Sequence, residues 1–120
     1  MNVFNKLIIT NATMNTTLTS EAIPLVNTYG YSIQAKWTGT PTGTLKLQAS
    51  SDAFMYVNDN QPQVPTTWTD IADSSQSIVA AGDFMWNIIG AFYNFVRVVY
   101  TDGSGGSSTA VINVRINAKG

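Results

Sequence analysis

The sequence predicts an all-β chain that folds as a single antiparallel β-sandwich, or jelly-roll-like domain, over residues 1–120. In its longest patterned segments apolar and polar residues alternate with a period of two, which is typical of strands that bury one face. Gly, Pro and Asn separate these segments at short intervals. Charged residues make up only 11% of the chain, and 15 Thr, 11 Asn and 10 Ser take their place. Thr favours strands, whereas Asn and Ser favour turns.

Two strand pairs carry most of this pattern, and the sequence predicts a hairpin for each. In the first, residues 31–38 and 43–50 flank TGTPTG, whose proline and glycines suit a tight turn. In the second, residues 94–101 and 108–118 flank DGSGGS, a flexible connector. The core is expected on the apolar faces of these strands and of residues 84–89. Its predicted members are Tyr31, Ile33, Trp37, Leu45, Leu47, Trp86, Val96, Val98, Ile112 and Val114.

The remaining segments are shorter or irregular. Strands are predicted at residues 6–10, 22–26, 67–71, 76–80 and 84–89. Residues 51–67, with two prolines, form a long irregular stretch, and loops of this length often carry function or lie in an interface. Residues 1–15 are predicted to be an extended N-terminal arm or an edge strand. Such an arm could pair with the sheet edge of a neighbouring molecule.

The charge balance and the hydropathy exclude two classes of partner. Six basic and seven acidic residues give a net charge of −1, so no basic patch is available to neutralise phosphates, and nucleic acid is not an expected partner. No segment approaches the roughly 20 apolar residues of a membrane span. The N-terminal residues lack the apolar region of a signal peptide, which predicts synthesis in a cytoplasm.

The residue types do not indicate an enzyme. Histidine and cysteine are absent, which removes the commonest general base, the thiol nucleophile and every metal site built on those ligands. Nearly all of the seven carboxylates stand beside Gly, Ser or Asn at strand ends, where turns and caps use them. The acidic segment around Asp52 and Asp59 lacks the spacing of a calcium loop. We therefore expect no catalytic residues, no metal and no cofactor.

The aromatic residues supply the candidate contact site. Trp37 and Trp86 fall in phase with the apolar faces of their strands and are expected in the core. Trp68 follows the irregular stretch, and Phe54 and Tyr56 lie within it. Large aromatic side chains on loops often anchor a partner, so Phe54, Tyr56 and Trp68 are the interface candidates. A sugar-stacking platform built from the same three residues is the alternative.

Several segments in a fixed order resemble a family of small bacteriophage proteins. They are YSIQAKWTGTPTGTLKLQASSD, WTDIADSS, AAGDFMWNI and FVRVVYTDGSGGSSTAVINVRINAKG. The resemblance covers about residues 31–120, and the ordered set is more specific than any one of its motifs. Proteins of this family are generally taken to be virion components, small β-sandwich proteins of the phage head or tail.

The resemblance implies a non-enzymatic virion structural protein, made in the cytoplasm of a host bacterium and located in the virion. A capsid decoration, cement or minor capsid protein is the leading expectation. Its implied partners are copies of itself, in a homo-oligomer such as a trimer, and other virion proteins such as the major capsid protein. The alternative is a tail-associated or head-fibre module that binds a host-surface sugar.

Overall fold

The computed structural model describes residues 3–25, 28–53 and 64–120, and all of their regular structure is strand. The strands are β1 Val3–Thr13, β2 Leu18–Thr19, β3 Ile23–Pro24, β4 Gly30–Thr38, β5 Gly43–Ser50, β6 Thr69–Asp70, β7 Gln76–Ile78, β8 Gly82–Ile89, β9 Phe95–Asp102 and β10 Val111–Lys119. Each short strand predicted from the sequence overlaps one of them. The sequence did not predict β2, because two residues show no alternation.

The strands form two antiparallel sheets packed on one core. Sheet I has the order β1-β10-β4-β8, and sheet II has β2 and β3 beside β9, then β5, then β6 and β7. When β2 with β3, and β6 with β7, are each taken as one interrupted strand, eight strands remain. Renumbered 1 to 8 in chain order, these strands have the order 1-8-3-6 in sheet I and 2-7-4-5 in sheet II, which is the order of a jelly roll. The predicted fold class is therefore confirmed.

Both predicted hairpins are wrong. β4 lies in sheet I between β10 and β8, whereas β5 lies in sheet II between β9 and the short strands. Likewise β9 belongs to sheet II and β10 to sheet I. The two glycine-containing connectors therefore carry the chain from one sheet to the other. Alternation failed to show this because it specifies which face of a strand is buried, and a strand can bury the same face in either sheet.

The core prediction is confirmed, since all ten predicted residues are buried. The inward residues of β4 lie directly across from those of β10 and β8, with Ile33 between Ile116 and Trp86. From sheet II, Leu45, Leu47, Val98 and Tyr100 face them with no exposed surface. The period of two thus identified the core-facing side of β4, β5, β8, β9 and β10, although Phe95 and Val99 on the other face of β9 are buried as well.

The N-terminal segment lies in the sandwich as an edge strand. β1 pairs with β10 from Val3↔Lys119 to Thr13↔Val111, with register shifts after Leu7 and after Ile9. Ile8 and Ile9 are buried in the core, as is Met14 just beyond the strand. Deleting residues 1–15 would therefore uncover the core as well as remove a possible arm.

Candidate functional site

The structure describes one of the three residues predicted to form an interface. Phe54 and Tyr56 lie outside the described residues, whereas Trp68 is half-buried immediately before β6. Trp68 stands on the outer face of sheet II, two residues before Asp70. The candidate site therefore consists of Trp68 and the side chains around it on that face.

The Trp68 ring is covered on one side by an arginine. The Cζ atom of Arg97 lies 4.2 Å from the centroid of the Trp68 ring, a cation–π distance. Arg97 reaches this position because its neighbours Val96 and Val98 point into the core, so the side chain between them points to the outer face of sheet II. Partial burial lowers the pKa of Arg97, although a guanidinium stays charged at any ordinary pH.

Three more polar side chains continue the row across sheet II. Arg97 Nε donates to Gln48 Oε1 at 2.8 Å, and Gln48 Nε2 donates to Asp70 Oδ1 at 2.9 Å. Lys46 Nζ donates to Asp70 Oδ2 at 3.1 Å. The row exists because Gln48 lies directly opposite Arg97 on one side and Asp70 on the other. The hydrogen bond from Gln48, and then that from Lys46, lowers the pKa of Asp70.

Beside this row a cleft of about 530 Å³ opens at the end of β5, lined by Ala49, Ser51, Asp52, Thr67, Asp70 and Tyr93 among others. On one side of the cleft, the Asp52 carboxylate connects the end of β5 to residues 66 and 67 by hydrogen bonds. It accepts hydrogen bonds from Thr66 N, Thr66 Oγ1 and Thr67 N at 3.1, 2.8 and 2.7 Å, and from Ser50 Oγ at 2.7 Å. These donors, with Ser50 and Thr66 first, lower the pKa of Asp52 strongly.

The two carboxylates on the cleft do not form an acid–base pair. A glycosidase-type pair needs one carboxyl group with a raised pKa that can donate a proton. Here hydrogen-bond donors lower the pKa of both Asp52 and Asp70. Within residues 3–25, 28–53 and 64–120 no three His, Cys, Asp or Glu side chains converge as metal ligands would. The arrangement can bind polar or aromatic groups, and both of its carboxylates are held in the ionised form at neutral pH.

Gln48, Arg97 and Asp70 were not predicted as site residues. Alternation already placed Gln48 and Arg97 on the polar faces of their strands. It did not show that they are neighbours, because the predicted hairpins gave β5 and β9 the wrong partners. The pairing of β5 with β9 joins residues 49 positions apart.

No protein-family model and no curated protein sequence matches the chain. Its fold is found among solved structures. The SPBc2 prophage-derived protein YomS aligns with a TM-score of 0.60 at 10% identity, covering 98% of this chain and 92% of that one. PirA aligns with a TM-score of 0.50 at 17% identity, covering 98% and 93%. At these identities the likeness establishes a shared β-sandwich fold.

No helix among the described residues is long and apolar enough to cross a membrane.

Proposed function

We propose that this protein is a non-enzymatic structural component of a bacteriophage virion. In this proposal it is a capsid decoration, cement or minor capsid protein that acts through protein–protein contacts. Its partners are copies of itself, with a trimer as one expected state, and other virion proteins such as the major capsid protein. One observation carries the proposal: the residues of the phage-like motifs hold the sandwich together and do not converge on a reactive site.

The first motif illustrates this structural role. In TGTPTG, Pro41 is fully buried. Gly43 packs so tightly that an added Cβ would lie 2.3 Å from the Thr101 carbonyl oxygen. The Tyr100 hydroxyl, from the VRVVYT motif, lies 3.2 Å from the Thr42 carbonyl oxygen to which it can donate. Two motifs that are far apart in sequence thus close the same end of the sandwich.

The tryptophans of the motifs act in the same way. Trp37 Nε1 donates to the Ala80 carbonyl at 2.5 Å, and Trp86 Nε1 donates to the Ser74 carbonyl at 2.8 Å. Each indole ring is buried, and its N–H group holds a loop in place: Trp37 holds the loop between β7 and β8, and Trp86 holds the loop between β6 and β7. These motifs therefore encode a scaffold, which is what an architectural protein requires.

The surface of sheet I supports the same function. Its outer face carries amides that bond across strands, with Asn113 Nδ2 donating to Asn11 Oδ1 at 3.0 Å and the Arg115 guanidinium donating to Asn5 Oδ1. With six basic and seven acidic residues among 120, the protein has few surface charges, so there is little charge repulsion to overcome when it meets another protein. Contacts of modest strength suffice in a virion because symmetry repeats them many times. The fold shared with a prophage-derived protein adds support.

The test is quantitative mass spectrometry of gradient-purified particles from the bacterium whose phage or prophage carries this gene. We expect peptides of this chain in the particle fraction at a fixed molar ratio to the major capsid protein. Particles from a gene-deleted phage are the matched control, and purified protein added to them should bind and restore the ratio. Peptides found only in the particle-free lysate would overturn the proposal.

A second candidate function is the binding of a host-surface sugar at the row around Trp68. The specific observation in its favour is the combination of a half-buried indole with a planar amide and a carboxylate beside a cleft. Such residues are suited to stacking on a sugar ring and bonding its hydroxyls. In this proposal Phe54 and Tyr56 contribute to the same surface.

A glycan array probed with the purified protein separates this candidate from the first. If it is correct, Trp68→Ala abolishes binding, whereas Tyr29→Ala, which removes an exposed aromatic ring elsewhere, leaves binding intact. Thermal unfolding of each variant must accompany the array, because Trp68→Ala also removes the partner of Arg97. Equal signals from wild type and Trp68→Ala would exclude the site.

A further inference from the structure

The four edges of the two sheets differ in how well they are protected against pairing with another strand. Exposed edges of natural sheets are usually blunted by bulges, charges, prolines or shortness. In sheet II one edge consists of β2 and β3, with two residues each, and the other of β6 and β7, with two and three. In sheet I, β1 has two register shifts and a positive φ of 45° at Asn11. Three edges are therefore blunted.

The fourth edge, β8, lacks these devices. Its eight residues pair with β4 in unbroken register from Gly30↔Ile89 to Trp37↔Gly82. It contains no proline and one charged residue, Asp83, near its start. Among the described residues, β4 is the one segment that shares backbone hydrogen bonds with β8. A regular strand edge of this length, with a single charge near its start, is a template for pairing with another strand.

The side chains around this edge are also uncovered. Met85 and Ile89 point outward from sheet I and are 51% and 72% exposed, and Phe92, just past the strand, is 89% exposed. Burying such side chains against a partner is favourable, at about 25 cal/mol for each Å² removed from water. Within the part of the chain that the structure describes, the edge thus combines unpaired backbone groups with exposed apolar side chains.

The sequence of β8 is complementary to itself about Asn87. In an antiparallel pair centred on Asn87, Met85 of one copy lies opposite Ile89 of the other on the outer face. Trp86 lies opposite Ile88 on the core face. Asn87 meets its own copy, which allows an amide pair, and Asp83 falls beyond the paired residues. This register matches exposed apolar residues with each other and leaves the charge outside.

We propose that β8 pairs with β8 of a second copy of this chain, antiparallel and centred on Asn87, so that sheet I continues across a two-fold axis. The pair deepens the proposed function, because it names a self-contact through which a structural protein would assemble. It produces a dimer, or the dimeric unit of a larger assembly, and does not by itself produce a trimer.

Disulfide trapping in the purified protein tests this pairing directly, since the chain contains no cysteine. Directly opposed residues of an antiparallel pair have Cα atoms about 4.5–5.5 Å apart, within the range that a disulfide spans. Under mild oxidation we expect Asn87→Cys to give at least ten times more covalent dimer than Thr10→Cys, an exposed position on β1. A mixture of Met85→Cys and Ile89→Cys should cross-link as a heterodimer. Met85→Cys alone should not, because its two copies would be about 14 Å apart.

A charge variant distinguishes pairing from random collision. Adding Met85→Lys and Ile89→Lys to Asn87→Cys places two cations on the edge at exposed positions, and circular dichroism should show an unchanged fold. Dimer formation should then fall to the level of Thr10→Cys. Equal cross-linking of Asn87→Cys and Thr10→Cys, or cross-linking unaffected by the lysines, would overturn the pairing. Neither result bears on particle incorporation, so this proposal and the proposed function can fail separately.

Discussion

Two crossings between the sheets look alike in sequence and differ in how they are built. The first crossing, residues 39–42, joins β4 to β5, and the second, residues 103–110, joins β9 to β10. They touch at one end of the sandwich, where Gly103 N donates to the Thr42 carbonyl at 2.7 Å. In the first, the side chain of Pro41 is fully buried. The second is mostly exposed and is held by the carboxylate of Asp102.

The difference shows that a glycine-rich connector does not by itself indicate a flexible loop. In the first crossing the glycine at position 43 permits close packing of the backbone on Tyr100 and Thr101. In the second, Asp102 accepts hydrogen bonds from Ser104 N and Gly106 N at 2.9 and 3.0 Å. Gly105 and Gly106 adopt positive φ angles of 67° and 90°, which other residues rarely adopt. Substitutions at the first crossing should therefore lower the free energy of unfolding by disturbing close packing. Substitutions at the second should have smaller effects, because they disturb only the local conformation of an exposed loop.

The largest effect is expected at Trp37, one residue before the end of β4, the strand that leads into the first crossing. Its side chain is 6% exposed, and its Nε1 bonds to the Ala80 carbonyl. Trp37→Ala should lower the free energy of unfolding by about 3–5 kcal/mol, because it leaves a large cavity. Urea unfolding followed by circular dichroism measures this. Trp37→Phe, which keeps a ring and loses the hydrogen bond, is the control and should cost less. A loss below about 1 kcal/mol for Trp37→Ala would contradict the packed structure of this crossing.

The next effect is expected at Gly43, where the first crossing enters β5. A Cβ there would lie 2.3 Å from the Thr101 carbonyl oxygen and 2.8 Å from Tyr100 Cε1. Gly43→Ala should therefore cost about 2–3 kcal/mol through overpacking, measured by urea unfolding. Gly82→Ala is the matched control, because a Cβ at position 82 meets Trp37 at an ordinary 3.8 Å. Equal stability of the two variants would show that the end of the sandwich can relax.

The sequence determined the faces of the strands far better than their partners. Period-two alternation identified the core-facing residues of β4, β5, β9 and β10, because burial of one face is a local property of a strand. It did not predict that Ser50, Phe95 and Val99, on the opposite faces, are buried as well. It paired β4 with β5 because TGTPTG resembles a hairpin turn, whereas in the structure Pro41 is buried and Gly43 packs closely against Tyr100 and Thr101 of β9. The row from Trp68 to Asp70 and the free edge of β8 depend on strand order, so neither could be predicted locally. Of the three predicted interface residues, Trp68 lies on this row, and its role in an interface stays a prediction.

A smaller, pH-dependent effect is expected in the second crossing at Asp102. Hydrogen bonds, above all from Ser104, lower its pKa below the value of about 4 in an unfolded chain. Its ionised form therefore stabilises the fold above that pH, and this stabilisation is lost as the pH falls through the lowered pKa. At pH 6, Asp102→Asn should have a lower free energy of unfolding than wild type. This loss should be smaller than the loss caused by Gly43→Ala.

The difference between wild type and Asp102→Asn should shrink as the pH is lowered from 5 to 3. Urea unfolding midpoints measured across this range give the comparison. Asp83→Asn, which removes an exposed carboxylate that makes no described hydrogen bond, is the control and should shift the midpoints little. A constant difference between pH 6 and pH 3 would show that Asp102 acts through its shape and not through its charge.

The smallest effect is expected at Gly105, at the tip of the second crossing. Its φ is +67°, and no atom lies within 4 Å of an added Cβ, so a substitution meets backbone strain but no steric clash. Gly105→Ala should cost about 1 kcal/mol, the usual penalty for a side chain in the left-handed region. Gly105→Asn should cost less, since Asn adopts that region more readily. If Gly105→Ala cost as much as Gly43→Ala, the second crossing would be packed as tightly as the first, and the contrast between them would fail.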